Sequence, residues 1–201
     1  MAASVRDSDK SASYFPLAGL AKDGYYKPEE NEATATCFCG AVQLAFVSPL
    51  SLTLCCLASL PVERRAIQPI EGPGLIETFV CNCTDCRKIT ASMFASNFTI
   101  DDKYLKHLRG QENLKTFGQD TTIASSSKMT NYFCQTCGTL MYRVGAAFPG
   151  CSILRLGTVD DFNLVEKQLK PQREQFIKDR VNWFTGVVGE EVKQFEGMLP
   201  S

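Results

Sequence analysis

From Ala33 onward the chain alternates apolar and polar positions with a period of two, the pattern of a half-buried strand. Ala33, Ala35, Cys37 and Cys39 fall on one face, and Thr34, Thr36 and Phe38 on the other. Gly40 allows a turn, after which Val42, Leu44 and Phe46 resume the alternation, so two short strands are predicted. Further strands are predicted over residues 77–82, 94–100, 114–117, 129–134, 139–144 and 152–156. Helical patterns are confined to 85–90, 159–162 and 165–169, and each is short. Many short strands separated by Gly and Pro turns predict a mainly β domain with a few short helices. Residues 1–32 are polar and lack sustained periodicity, which predicts a leader that is mobile or ordered only on contact, ahead of a domain over 33–197.

Residues 47–68 break the pattern. Leu50, Leu52 and Leu54 start an alternation that is then lost, and the stretch separates two well-formed strands. A structureless loop of this length is unusual inside a compact domain. Two readings stand. Val47-Ser48 can be encoded by GTGAGT, a common intron start, and Gln68 by CAG, a common intron end, so the segment reads as a translated intron whose removal joins Phe46 to Pro69. The other reading is a genuine variable loop.

Composition narrows the partners. Of the 201 residues, 44% are apolar and 21% charged, an ordinary balance for a globular chain. A formal charge of −1 gives no footprint for nucleic acid or an acidic membrane surface. The longest apolar stretch, residues 49–62, is shorter than the roughly 20 residues a bilayer span needs. The leader carries Arg6, Asp7, Asp9, Lys10, Asp23, Glu29 and Glu30 and no apolar core of a secretory signal, so a cytoplasmic location is expected.

The unusual feature is ten cysteines against one histidine. In a reducing compartment, clustered cysteines more often hold metal than form disulfides. Seven of them lie in three motifs: Cys37-x-Cys39, Cys81-x-Cys83-x-x-Cys86 and Cys134-x-x-Cys137, the last followed by Gly138 as in a zinc knuckle. Cys37, Cys39, Cys134 and Cys137 can complete one closed four-thiolate site. Cys81, Cys83 and Cys86 offer three ligands and leave one tetrahedral position open, the arrangement of a reactive zinc. Cys55 and Cys56 are adjacent, poorly placed to share an ion, and receive no role. Cys151 reads as core, and His107 as a surface or satisfied residue. Trp183, the only tryptophan, reads as a core anchor that closes the C-terminal segment over the sheet.

The order CFCGAVQL, CNCTDCRKITAS, CQTCGTLMYR, followed by Pro171, Phe176, Arg180 and Trp183-Phe184, resembles the glutathione-dependent formaldehyde-activating enzyme family, which includes the centromere protein V group. The resemblance runs over 33–197 around the interruption, and it is nearest the fungal branch, whose members often accompany secondary-metabolite pathways. It implies a zinc-pinned complex of short antiparallel β-sheets, tent-like in form, with two zinc ions per chain. It also implies a structural zinc on Cys37, Cys39, Cys134 and Cys137 and a catalytic zinc on Cys81, Cys83 and Cys86. The implied activity is that of a carbon–sulfur lyase resembling S-(hydroxymethyl)glutathione synthase, which adds the thiol of glutathione reversibly to formaldehyde or a related carbonyl. Arg87 and Lys88 follow the triplet and are candidates to pair with substrate carboxylates, and Ser92 is a weaker candidate. A solvated helix face explains the Arg-Lys pair equally well.

The chain departs from the family twice. Asn82 stands where the family usually has histidine, and it cannot shuttle a proton at neutral pH. Ala91 stands where a glycine is frequent. A non-catalytic zinc module for protein interaction or glutathione carriage is the alternative function. A zinc-ribbon nucleic-acid binder is disfavoured because no basic cluster is interleaved with aromatics. On the intron reading, the sequenced mature transcript lacks the codons for 47–68; a message that retains them makes the segment a genuine loop.

Overall fold

The computed structural model describes residues 5–17, 32–47, 74–123 and 126–198. The segment 47–68 lies outside them except for Val47, and so do Cys55 and Cys56. Among the described residues, eleven strands and two α-helices follow one another as β1 (Glu32–Thr36), β2 (Gln43–Val47), β3 (Leu75–Cys81), α1 (Thr84–Thr90), β4 (Ala95–Asp101), β5 (Leu105–Arg109), β6 (Leu114–Gln119), β7 (Met129–Cys134), β8 (Leu140–Gly145), β9 (Cys151–Arg155), α2 (Phe162–Lys167), β10 (Arg173–Gln175) and β11 (Lys193–Phe195). The mainly β expectation is met. The strands form a three-stranded sheet, β1-β2-β5, and an eight-stranded sheet, β11-β10-β3-β4-β9-β8-β7-β6. Pairing is antiparallel except at one edge, where β11, β10 and β3 run parallel.

Register decides which residues meet. Thr78, Phe98, Leu154, Tyr142 and Tyr132 stand opposite one another across β3, β4, β9, β8 and β7 and so share one face of the large sheet. That face closes over the small sheet: Phe98, Leu154 and Tyr142 belong to the same buried cluster as Ala33, Ala35, Leu44 and Phe46. The Phe46 and Phe98 rings lie 4.9 Å apart. Burying each such side chain contributes about 1.5–3 kcal/mol, so this interface is the main core.

The neighbouring register row, Glu77, Thr99, Ile153, Arg143, Asn131, points to the opposite face, as do Phe79, Asn97 and Arg155. A second, smaller core covers part of that face. It contains Phe79, Cys81, Cys86 and Ala95, with Cys83, Ile153 and Phe176 packed against them.

Several expectations need correction. β1 ends at Thr36 instead of continuing to Cys39, because Gly40 N donates to Cys37 O and Cys37 N to Val42 O, turning the chain between the two cysteines. The two helical patterns near 159–169 merge into α2, whose start is set by Asp161: its Oδ1 accepts from Asn163 N and Leu164 N. Trp183 is 70% exposed and anchors nothing in the core; its neighbour Phe184 packs instead, stacked on Phe94 at 4.4 Å. Cys151 is half-buried at the first residue of β9, where the strand has not yet entered the core. His107, by contrast, is a satisfied residue as expected, half-buried with Nε2 3.2 Å from the Tyr142 hydroxyl.

Residues 5–17 lie along α2. Asn163 Nδ2 donates to Asp9 O and Ala12 O, Tyr14 N donates to Asp161 Oδ1, and Phe162 N donates to Tyr14 O.

β5 brings the small sheet against the loop that carries Cys39: Arg109 Nε donates to Gly40 O at 2.8 Å. Gly110, next in the chain, has φ +72°, and a Cβ there would collide with the Ala41 carbonyl. Both the left-handed backbone and the close approach require glycine. We predict that Gly110→Ala lowers stability by more than about 2 kcal/mol in denaturant titration. A loss under about 0.5 kcal/mol would show that the loop yields.

Candidate metal centres

The first cysteine group joins the two sheets. Cys37 follows β1 of the small sheet and Cys39 lies in the turn after it, whereas Cys134 ends β7 of the large sheet and Cys137 lies in the β7–β8 turn. That turn closes by Gly138 N donating to Cys134 O, with Gly138 at φ +75°. All four sulfurs lie within 4.8 Å of one another, with Cys37–Cys39 at 3.6 Å and Cys39–Cys134 at 3.7 Å. Sulfurs bound tetrahedrally to zinc at about 2.3 Å stand about 3.8 Å apart, so the donor set fits that ion. No disulfide involves any cysteine among the described residues.

The neighbours of these sulfurs are neutral donors: Val42 N to Cys37 at 3.2 Å, Asn113 Nδ2 to Cys134 at 3.3 Å, and the Thr139 hydroxyl 3.2 Å from Cys137. Burial pushes the Cys37 thiol up to about 12. Burial also opposes ionisation of Cys137, but the Thr139 hydroxyl and backbone N–H outweigh it and bring that thiol down to about 6.

The second group is built by one strand and one helix. Cys81 ends β3, Cys83 is the N-cap of α1, and Cys86 lies in the first turn of α1. Cys83 Sγ accepts from Cys86 N, so the cap places two of the three sulfurs together. The three sulfurs lie within 4.8 Å of one another. Cys81 and Cys86 are buried and Cys83 is half-buried, which makes Cys83 the most open side of the triplet.

Its electrostatics differ from those of the first group. Hydrogen bonds from Cys81 and Cys83, together with the positive charges of Arg143 and Arg155, bring the Cys86 thiol well below the ordinary thiol range despite its burial. Contacts with Cys83 and Cys86, added to burial, push Cys81 far up. For Cys83, the hydrogen bond with Cys81 favours ionisation, but Cys86 and burial outweigh it and raise the thiol to about 11. These shifts favour the thiolate at Cys86, where Arg143 Nη1 donates to Sγ at 3.4 Å. Burial lowers Arg155 to about 10, and it remains protonated at neutral pH.

Arg87, Lys88 and Ser92 come together beside this triplet. They line a surface groove with Thr84, Ala91 and Met93, and no cysteine reaches it. Arg87 Nη2 lies 3.5 Å from the Thr84 hydroxyl, and Lys88 and Ser92 are exposed.

Asn82, between two of the triplet cysteines, is fully buried. Its Nδ2 donates to Glu174 Oε1 at 2.9 Å and to Gln175 O at 3.1 Å. Glu174, itself fully buried, also accepts from Arg180 Nη1 and Val187 N. Asn82 therefore ties β3 to β10 and the C-terminal segment. Arg143, Arg155 and Glu174 were not legible in the spacing of residues. On a strand, an arginine between apolar neighbours reads as solvent-facing, and only the sheet register reveals that it points inward.

Ala91 ends α1 with φ +52° and ψ +32°, and its N–H donates to Lys88 O. A left-handed C-cap explains why glycine suits the position, since a Cβ adds a steric cost of roughly 1 kcal/mol. Ala91→Gly is expected to stabilise the protein by about 0.5–1 kcal/mol in chemical denaturation; a destabilised variant would contradict this account of the cap.

The model of the glutathione-dependent formaldehyde-activating enzyme family matches residues 68–179, more than half of the chain. The match includes the triplet and the Cys134–Cys137 pair and begins after Cys37 and Cys39. No curated protein matches. Among solved structures, the crystal structure of a Rhodobacter sphaeroides protein is similar at 22% identity and a TM-score of 0.39, covering 62% of this chain and 85% of that one. The chain belongs to the glutathione-dependent formaldehyde-activating enzyme family.

Proposed function

We propose that the chain is a zinc-dependent carbon–sulfur lyase of the S-(hydroxymethyl)glutathione synthase type, with Cys37, Cys39, Cys134 and Cys137 holding a structural zinc and Cys81, Cys83 and Cys86 a catalytic one. The observation that carries this reading is the contrast between the two cysteine groups. One has four sulfurs and is complete; the other has three, is half-open at Cys83 and adjoins a groove with two cationic side chains. Zinc at the triplet would supply one open coordination position that favours the thiolate form of a bound thiol.

The chain's own residues do the rest. On this reading Arg87 and Lys88, which line the groove together with Ser92, pair with the carboxylates of glutathione. In the forward direction the sulfur forms a bond to the carbonyl carbon, the thiol gives up its proton, and the carbonyl oxygen takes one up. Asn82 cannot supply that proton, because its amide is enclosed by Glu174 and Gln175, so the proton passes through solvent at the open side. The same site would serve a related carbonyl or thiol-adduct substrate, including one from a secondary-metabolite pathway. A reducing cytoplasm suits reduced glutathione and free thiols, and no helix among the described residues is long and apolar enough to cross a membrane.

Metal analysis and turnover test the reading together. The purified chain is expected to hold two zinc ions, and Cys83→Ser one, with glutathione-dependent turnover abolished and the fold retained by circular dichroism. Turnover retained with one zinc would overturn the catalytic assignment. A wild-type chain holding one zinc and showing no turnover would favour a binding or glutathione-carrying module.

A further inference from the structure

Two arginines are buried on the face of the large sheet that carries the triplet. Arg143 of β8 is 7% exposed and Arg155 of β9 is 6% exposed. Arg155 stands opposite Asn97, which stands opposite Phe79, two residues before Cys81 on the same face of β3. Arg143 donates to Cys86 Sγ and Arg155 Nη1 to Asn97 Oδ1. Arg143 Nε, Arg155 Nε and Arg155 Nη2 are buried and have no partner, and Asn131 Oδ1, opposite Arg143 in the register, has none either.

Neither arginine has a carboxylate partner among the described residues. The two acidic side chains nearest in the sheet are committed elsewhere, Glu77 to Arg173 and Glu174 to Arg180 and Asn82. Burying an uncompensated guanidinium is costly, and natural structures pair such charges. The compensating anions on this face are the thiolates. Three thiolates around a divalent ion carry a single net negative charge, which two guanidiniums overbalance by one. A fourth ligand that is itself anionic makes the buried unit neutral. Water, an imidazole or an intact thiol leaves it positive. The four-cysteine group, already complete in ligands, receives only neutral donors at its sulfurs.

We propose that Arg143 and Arg155 are positioning residues that set the charge of the ligand admitted at the open triplet position, so that a thiolate is preferred over neutral ligands. The inference rests on the reading of the triplet as an open metal centre. The arginines act through Cys86 and through the field of the low-dielectric face, without touching the substrate. They make the site selective for substrates that present a sulfur anion, whatever the carbonyl partner.

Cobalt(II)-loaded full-length protein provides a readout independent of turnover, because a further thiolate ligand raises the sulfur-to-cobalt charge-transfer absorption above that of the protein's own cysteines. The probes are glutathione, as the anionic ligand, and imidazole, as the neutral one. Arg143→Met and Arg155→Met are each expected to weaken glutathione binding by about tenfold or more and to leave imidazole binding within about twofold. Arg143→Lys and Arg155→Lys keep the charge and are expected to restore most of the glutathione affinity. Equal weakening of both probes, or no change in either, would overturn the proposal. If the Met variants do not fold, the Lys variants decide: cobalt bound but the preference for glutathione lost would equally overturn it. A wild-type cobalt protein whose spectrum ignores glutathione is a different failure, that of the open-site reading itself.

Discussion

Compensation of buried charge organises the second face of the large sheet. Phe79, Ala95 and Ile153 cover part of that face, yet the same rows carry Glu77, Arg143 and Arg155. Charge buried there calls for compensation, because an unpaired buried ion costs more than a typical packing contact contributes. Glu77 meets Arg173 of β10, and Arg143 meets the sulfur of Cys86. β10 is built on the same rule. Arg173, Glu174 and Gln175 contain no apolar side chain and are all buried, held by the partners they bring to β3 and to the C-terminal segment.

The two cysteine groups occupy different mechanical positions. The four-cysteine group spans the small sheet and the β7–β8 turn of the large one, so an ion there would lock the two layers that share the main core. The triplet lies within one sheet and the helix that follows it, at the end of a strand whose register is already set by β4 and β10. Losing an ion from the first would loosen the architecture. Losing one from the second would leave the pairing of β3 with β4 and β10 in place. Sulfur contacts reflect this: neutral donors surround the first group, and a guanidinium reaches the second.

Most of the strands were legible because their apolar residues alternate and face the main core, as in β2, β4, β8 and β9. β5, β10 and β11 were not. β10 and β11 carry three residues each and β10 has no apolar residue, so no hydrophobic period marks them; parallel pairing of β10 to β3, and of β11 to β10, makes them strands. Trp183 misled for the converse reason. A large aromatic is usually buried, but Phe184 beside it already fills the space over Phe94. The buried Asn82 gave no signal beyond its place between two cysteines, since its role depends on Glu174, far along the chain.

By itself the sequence determined which residues can bind metal, while the joining of Cys37 and Cys39 to Cys134 and Cys137 waited on the packing of the two sheets. Cysteine spacing is a local property: a two-residue gap with a turn or a helix start brings sulfurs together whatever the rest of the chain does. It also determined the β character of the domain, through a period that any strand with one buried face must show. Only the tertiary structure decided the electrostatic character of each site. Whether an arginine faces water or a sulfur depends on strand register, and register is set by pairing between residues far apart in the chain.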